Sequence, residues 1–200
     1  MNRYRIAIFA SGEGSNAENI TNYFRGYDTI NVVLIVSNRA NVGVIQRAKR
    51  LKVPYLISPK DELNSLKFLH LLEQQNIDII ILAGFLLKIP IHLITAFAHR
   101  IINIHPALLP KYGGKGMYGN KIHKAVLSNK EKESGITIHL VNEHYDDGEI
   151  LFQKSCKVMV DDDVKDLANR INRLEYQFFP KIIEITNAKI NVNADLKDKY

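Results

Sequence analysis

Five apolar runs mark the first half of the chain: 5–10 (RIAIFA), 30–36 (INVVLIV), 53–57 (VPYLI), 78–83 (DIIILA) and 100–104 (RIINI). Helix-like stretches stand between the early ones, at about 16–26, 41–51 and 62–75. A strand with one wet face alternates apolar and polar residues. These runs are apolar throughout, so both faces must be covered, which is the condition of a parallel sheet whose crossovers are helices. The order predicts a doubly wound α/β domain. After residue 130 the pattern changes. Residues 135–142 (GITIHLVN) alternate, a turn-rich EHYDDGE follows, and 150–158 (ILFQKSCKV) reads as a return strand, so two antiparallel edge strands are expected. A long helix is predicted over about 163–186, with Leu167, Ile171, Leu174, Phe178, Ile182 and Ile185 at helical spacing and Pro180 as a kink. The residues after it, polar and rich in Asn and Lys, read as a loose tail over 187–200, which leaves 1–186 as one domain.

Composition narrows the class further. A single domain of 200 residues buries roughly 70% of its unfolded surface, so neither a disulfide nor a structural metal is required. Cys156 is the only cysteine and cannot form an internal disulfide, in keeping with a reducing, cytoplasmic setting. The longest uncharged apolar run, Ile79 to Leu87, is about half the length that spans a bilayer, so no membrane partner is expected. The N-terminus MNRYRIAIFAS reads as a first strand rather than a signal peptide. Lys and Arg number 27 against 21 Asp and Glu, a net charge of +6. That balance admits nucleic acid, an anionic small molecule or no specific partner.

The first strand ends in Ser11-Gly12-Glu13-Gly14-Ser15-Asn16-Ala17, with a helix expected from Ser15 or Asn16. Glycines there allow a tight turn, and the free N–H groups of the helix's first turn make an anion site. The expected ligand is a phosphate. Gly12-x-Gly14-x-x-Ala17 also meets the relaxed dinucleotide fingerprint, but an NAD site wants an acid at the end of the second strand. Val36-Ser37-Asn38-Arg39-Ala40-Asn41 has none, and Arg39 supports only an NADP reading.

The fifth run ends in Asn103-Ile104-His105-Pro106-Ala107-Leu108-Leu109-Pro110. In open α/β sheets the carboxyl ends of the strands form the ligand crevice. Asn103 and His105, two apart, share a face there, an amide donor beside a titratable imidazole. Downstream, the acidic turn 142–149 needs no function as a hairpin. Folded over the crevice, however, one of its carboxylates would stabilise protonated His105 and fix its tautomer. His139, His144 and nearby acids have no metal-ligand spacing such as H-E-x-x-H, so no metal is expected.

Asn103-Ile104-His105-Pro106 with Leu108-Leu109-Pro110, then Asp146-x-Gly148-x-Ile150, resemble the folate-dependent formyltransferases. Ser11-Gly12-x-Gly14-Ser15-Asn16 and Leu82-Ala83-Gly84-Phe85 narrow the likeness to the branch that acts on glycinamide ribonucleotide in purine synthesis, and the resemblance extends over about 5–180. It implies transfer of a formyl group from 10-formyltetrahydrofolate, a co-substrate, to the ribonucleotide's amine, with no metal, no prosthetic group and no nucleic acid, in a monomer or homodimer. Asn103, His105 and Asp146 match the family's catalytic trio. Asp147 is a rival to Asp146, because the family often reads Asp-Gly-Gly there; the register to Gly148 and Ile150 favours Asp146. Gly14, Ser15, Asn16 and Glu175 match the ribonucleotide site. The folate would lie against Leu86, Leu87, Lys88 and Ile89, beside Asn103, and beneath Asn142, Glu143, His144, Tyr145 and Asp146, its pterin end held largely through backbone contacts. The segment 111–119 (KYGGKGMYG) is longer than the usual family version.

Two relatives share the domain. Methionyl-tRNA formyltransferase carries a further C-terminal domain, not expected in a chain of this length, and formyltetrahydrofolate deformylase an N-terminal one, not expected where the first strand begins near residue 5. Residues 111–132 hold six lysines against Glu131, while the rest of the chain is nearly neutral. That segment follows the Asn-His-Pro strand, and it reads either as a solvated helix face or as a field that draws in an anionic substrate.

Overall fold

The computed structural model describes residues 3–197, with side chains as far as Thr186. Its strands are β1 (Tyr4–Phe9), β2 (Ile30–Ser37), β3 (Tyr55–Ile57), β4 (Ile79–Leu82), β5 (Ile101–His105), β6 (Glu133–Leu140) and β7 (Ile150–Lys157). The helices are α1 (Ser15–Tyr23), α2 (Gly43–Leu51), α3 (Lys60–Leu63), α4 (Leu66–Gln74), α5 (Ile91–Ala96), α6 (Asn120–Ser128) and α7 (Val164–Lys197). One sheet runs in the order β3-β2-β1-β4-β5-β6-β7. β1 to β5 are parallel, and β6 and β7 continue the sheet antiparallel. This is the doubly wound sheet with antiparallel edge strands that the apolar runs predict.

Because side chains alternate along a strand, β1 serves two cores at once. Ile6 and Ile8 pack with Ala17 and Ile20 of α1, Val44 and Ala48 of α2, and Leu167, Ile171 and Phe179 of α7. Ala7 and Phe9 face the other way, onto Leu63, Phe68, Leu72 and Leu93 of α3, α4 and α5. All four of these β1 residues are fully buried, at roughly 1.5–3 kcal/mol for each large side chain. Phe9 makes edge-to-face contacts with Phe68 and with Phe85, at ring separations of 5.9 and 5.4 Å. The second contact anchors the segment after β4, which matters for the site.

Three elements differ from the expectation. α5 is a short helix that the sequence reading lacks, since six residues behind Pro90 are too brief for their period to register, and the one helix expected over 62–75 is two, α3 and α4, with Ser65 as the N-cap of the second. The helical backbone of α7 continues to Lys197 rather than ending at 186. Of the segment 187–200 read as a tail, the side chains and the whole of 198–200 lie outside the described residues.

Candidate active site

After β3 the chain returns to place β4 on the other side of β1, so the winding reverses between β1 and β4. The turns leaving these two strands must diverge, opening a crevice at their carboxyl ends. A cleft of about 550 Å³ lies there, lined among others by Gly14, Ser15, Asn16, Asn103, His105, Asp146 and Glu175. Ser11 ties its walls together. Its N–H donates to the Gly84 carbonyl at 3.0 Å, and its Oγ accepts from the Leu86 N–H at 2.9 Å.

The glycine turn is required by close packing. Gly14 sits at φ +74°, and a Cβ there would stand 2.4 Å from Val44 Cγ2. It forms the N-cap of α1, which starts at Ser15, so the first-turn N–H groups open onto the cleft without a capping side chain. Behind them Asn16 Nδ2 donates to Glu175 Oε2 at 2.8 Å. Burial pushes the Glu175 carboxyl up to about 7, against the downward pull of that bond. Asn16 Oδ1 is buried with no partner among the described residues. Asn16 Oδ1 is thus an acceptor in want of a donor, beside the buried Glu175 carboxyl.

On the other side of the cleft, Asn103 and His105 leave the end of β5 on one face, as the strand period predicts. His105 is 4% exposed. Its Nε2–H donates to the Tyr112 carbonyl at 2.8 Å, and its Nδ1 lies 3.5 Å from Asp146 Oδ1. Burial lowers the imidazole's pKa from its ordinary value, and the Asp146 charge and the Tyr112 bond raise it by less. The stabilising carboxylate expected from the acidic turn is thus present, but burial outweighs it. Asp146 itself is pushed up by burial, yet it lies below the ordinary carboxylate range, drawn down by the charge of His105 and by the Gly114 N–H. That last bond, Gly114 N–H to Asp146 Oδ2 at 2.9 Å, ties the glycine-rich loop to the acidic turn. Asp147 is exposed and makes none of these contacts. Gly148 fixes the register between the two acids, since a Cβ there would meet the Leu140 carbonyl at 1.8 Å.

The residues expected around a pterin divide. Leu86, Asn103, Tyr145 and Asp146 line the cleft, whereas the side chains of Leu87, Lys88, Ile89, Asn142, Glu143 and His144 do not. Leu87 and Ile89 pack into the α3–α5 core instead. Lys88 lies over the Tyr145 ring, Nζ 5.8 Å from its centre, bridging the segment after β4 to the acidic turn. Asn142 Oδ1 accepts from the His144 N–H at 2.9 Å and shapes that turn. Of the six lysines in 111–132 only Lys115 lines the cleft, and Arg39 does not.

Sequence reasoning missed His123, Asn172 and the polar face of β6. His123 is buried at the cleft, its pKa lowered by that burial. Asn172 stands three residues before Glu175, one helical turn along the same face, a spacing that could have flagged it. Thr137 and His139 of β6 stand opposite His105 and Asn103. The sequence pattern marks His139 only as a candidate metal ligand. Among the described residues no group of three or more His, Cys, Asp or Glu is placed to hold a metal ion, and no helix is long and apolar enough to cross a membrane.

The formyl transferase family profile matches residues 4–183. The chain is 40% identical over 188 residues to the chloroplastic phosphoribosylglycinamide formyltransferase of Arabidopsis thaliana, covering 90% of this chain and 64% of that relative. It therefore spans less than two thirds of the plant protein's length. Against the phosphoribosylglycinamide formyltransferase of Bacillus subtilis it is 33% identical over 187 residues, covering 90% of this chain and 93% of the relative. The crystal structure of phosphoribosylglycinamide formyltransferase from Anaplasma phagocytophilum superimposes with a TM-score of 0.84 at 28% identity, covering 94% of this chain and 89% of that one.

Proposed function

The chain belongs to the formyl transferase family, and from that premise we propose that it transfers the formyl group of 10-formyltetrahydrofolate to the amine of glycinamide ribonucleotide. The observation that carries the reading is the meeting, in one cleft, of an uncapped helix start and an amide–imidazole–carboxylate cluster. The N–H groups at Gly14, Ser15 and Asn16 suit a ribonucleotide phosphate. Hydroxyl or amine donors of the nucleotide suit the Glu175 carboxyl and the unpartnered Asn16 Oδ1 beside it. The pterin is assigned to the side of the cleft where Leu86 and Tyr145 stand.

In the reaction the substrate amine attacks the formyl carbon, the carbonyl oxygen gains negative charge, the carbon–N10 bond breaks, and a proton lost by the amine replaces the formyl group on N10. Asn103 donates an amide N–H to that oxygen. His105, once protonated on Nδ1, forms an ion pair with Asp146 across the 3.5 Å contact. Exchange of its Nε2–H from the Tyr112 carbonyl to the substrate adds a second donor or delivers the proton to N10. No enzyme nucleophile is needed, and Cys156 has no part.

The test is tetrahydrofolate release by purified protein supplied with both substrates. Release that depends on the ribonucleotide is expected. Absence of release, or release that is the same without the ribonucleotide, refutes the assignment, the second result pointing to hydrolysis of the donor. Asn103→Ala should lower kcat by about 10²–10³-fold.

A further inference from the structure

β6 adds no residue to the amide–imidazole–carboxylate cluster, yet it carries the polar side chains that face it. In the antiparallel register Thr137 stands opposite His105 and His139 opposite Asn103. Two apart on one strand, Thr137 and His139 share a face. Thr137 fixes the loop beyond His105. Its Oγ1 donates to the Ala107 carbonyl at 2.7 Å and accepts from the Leu109 N–H at 3.0 Å.

His139 acts on Asn103 in a more selective way. It is 2% exposed, and its Nδ1 lies 2.8 Å from the Leu140 carbonyl. A carbonyl oxygen can only accept, so Nδ1 carries a proton. In the neutral ring Nε2 is then a bare acceptor, and it stands 3.0 Å from Asn103 Nδ2. Asp146 Oδ1, at 3.7 Å from the same nitrogen, is too distant to take its place.

The chemistry of a primary amide makes this pairing decisive. One end of the Asn103 side chain donates two protons and the other only accepts, and a half-turn about the last torsion exchanges them. A bare Nε2 accepts only the donating end. The backbone carbonyl of Leu140 therefore sets the tautomer of His139, and that tautomer sets the amide. One N–H is held, and the second remains for a ligand in the cleft that Asn103 lines. The reversed amide would set its own oxygen where the reaction develops negative charge, turning a stabilising contact into a repulsive one.

We propose that His139 is a positioning residue for formyl transfer, whose Nδ1–H tautomer keeps the nitrogen end of Asn103 available to the developing oxyanion. The proposal rests on Asn103 acting as that donor. It deepens the proposed function by naming what holds the donor in the right sense.

His139→Phe keeps the ring volume and removes the acceptor, while His139→Gln keeps an acceptor for Asn103 and a donor for Leu140. His139→Phe should lower kcat by about 10²-fold, the scale of a misplaced catalytic group, with KM for both substrates unchanged. His139→Gln should restore most of the loss. In an Asn103→Ala background the Phe substitution should cause no further drop, because there is no amide left to orient. Full kcat in His139→Phe overturns the proposal, as does an equal drop in both backgrounds, which a merely structural role would produce. Should Asn103→Ala itself retain full kcat, the donor assignment fails and this proposal with it; a crippled Asn103→Ala beside an active His139→Phe removes the proposal alone. If the Phe variant does not fold, 15N NMR of the wild-type protein carries the test. A coupling across the Asn103 Nδ2–His139 Nε2 hydrogen bond supports the proposal, and a protonated Nε2 without that coupling overturns it.

Discussion

Replacing Glu175 with Gln separates the stability of this fold from its pH. Glu175 is 7% exposed, and its carboxyl is pushed from an ordinary 4.5 up to about 7, first by burial, with the Asn16 bond opposing. The folded chain thus holds this proton more tightly than the unfolded chain does. Below about pH 4.5 both states are protonated and the group exacts no penalty. As the pH rises through about 7 the folded state is left with an ionised, buried carboxylate, and the loss approaches about 3 kcal/mol. Between pH 5 and pH 8 the wild type should lose about 2–3 kcal/mol on account of this group alone. Gln has nearly the same shape, accepts the same Asn16 bond and does not titrate. Urea unfolding of both proteins at pH 5, 6, 7 and 8 reads the effect as a difference, in which the other titrating groups cancel. The Gln variant should gain on the wild type from pH 5 to pH 7 and level off by pH 8, where both states of the wild type are ionised. Parallel curves would show that the carboxyl is not perturbed and refute the reasoning. Ligand donors favour the ionised form, so ribonucleotide binding by the wild type should also release a proton near pH 7 and tighten from pH 6 to pH 8.

Gly14→Ala forces a Cβ against Val44 at a left-handed backbone position; a stability loss of about 1–3 kcal/mol is expected in thermal or urea unfolding, together with a raised KM for the ribonucleotide. Asp146→Asn removes the charge that lifts the pKa of His105 against burial. Since His105 acts protonated, the alkaline limb of the kcat profile should move to lower pH, and kcat near neutrality should fall about 10²-fold. Neutralising Lys115, which lines the cleft, should weaken the salt dependence of kcat/KM, while neutralising Lys124, Lys130 and Lys132 should leave it unchanged; equal effects from both sets would favour a diffuse field over the whole segment.

The apolar runs by themselves determined the sheet, because a strand covered on both faces leaves a continuous signature in the chain. The same alternation that sends Ile6 and Ile8 to one core and Ala7 and Phe9 to the other also placed Asn103 and His105 on one face. The Gly14 turn was legible for a similar reason: a tight strand-to-helix turn restricts residue types locally. Other features depend on distance in the folded state. Which of Asp146 and Asp147 meets His105 is decided by the approach of Gly148 to the Leu140 carbonyl, a contact with another strand. Glu175 acquires its raised pKa only when α7 presses it against Asn16, 159 residues away in the chain. The pairing of His139 with Asn103 comes from the β5–β6 register. Propensity and periodicity are properties of neighbours in sequence, so the chain alone sets the elements and the faces they present. Burial, tautomer and hydrogen-bond direction are properties of neighbours in space, and only the packed structure decides them.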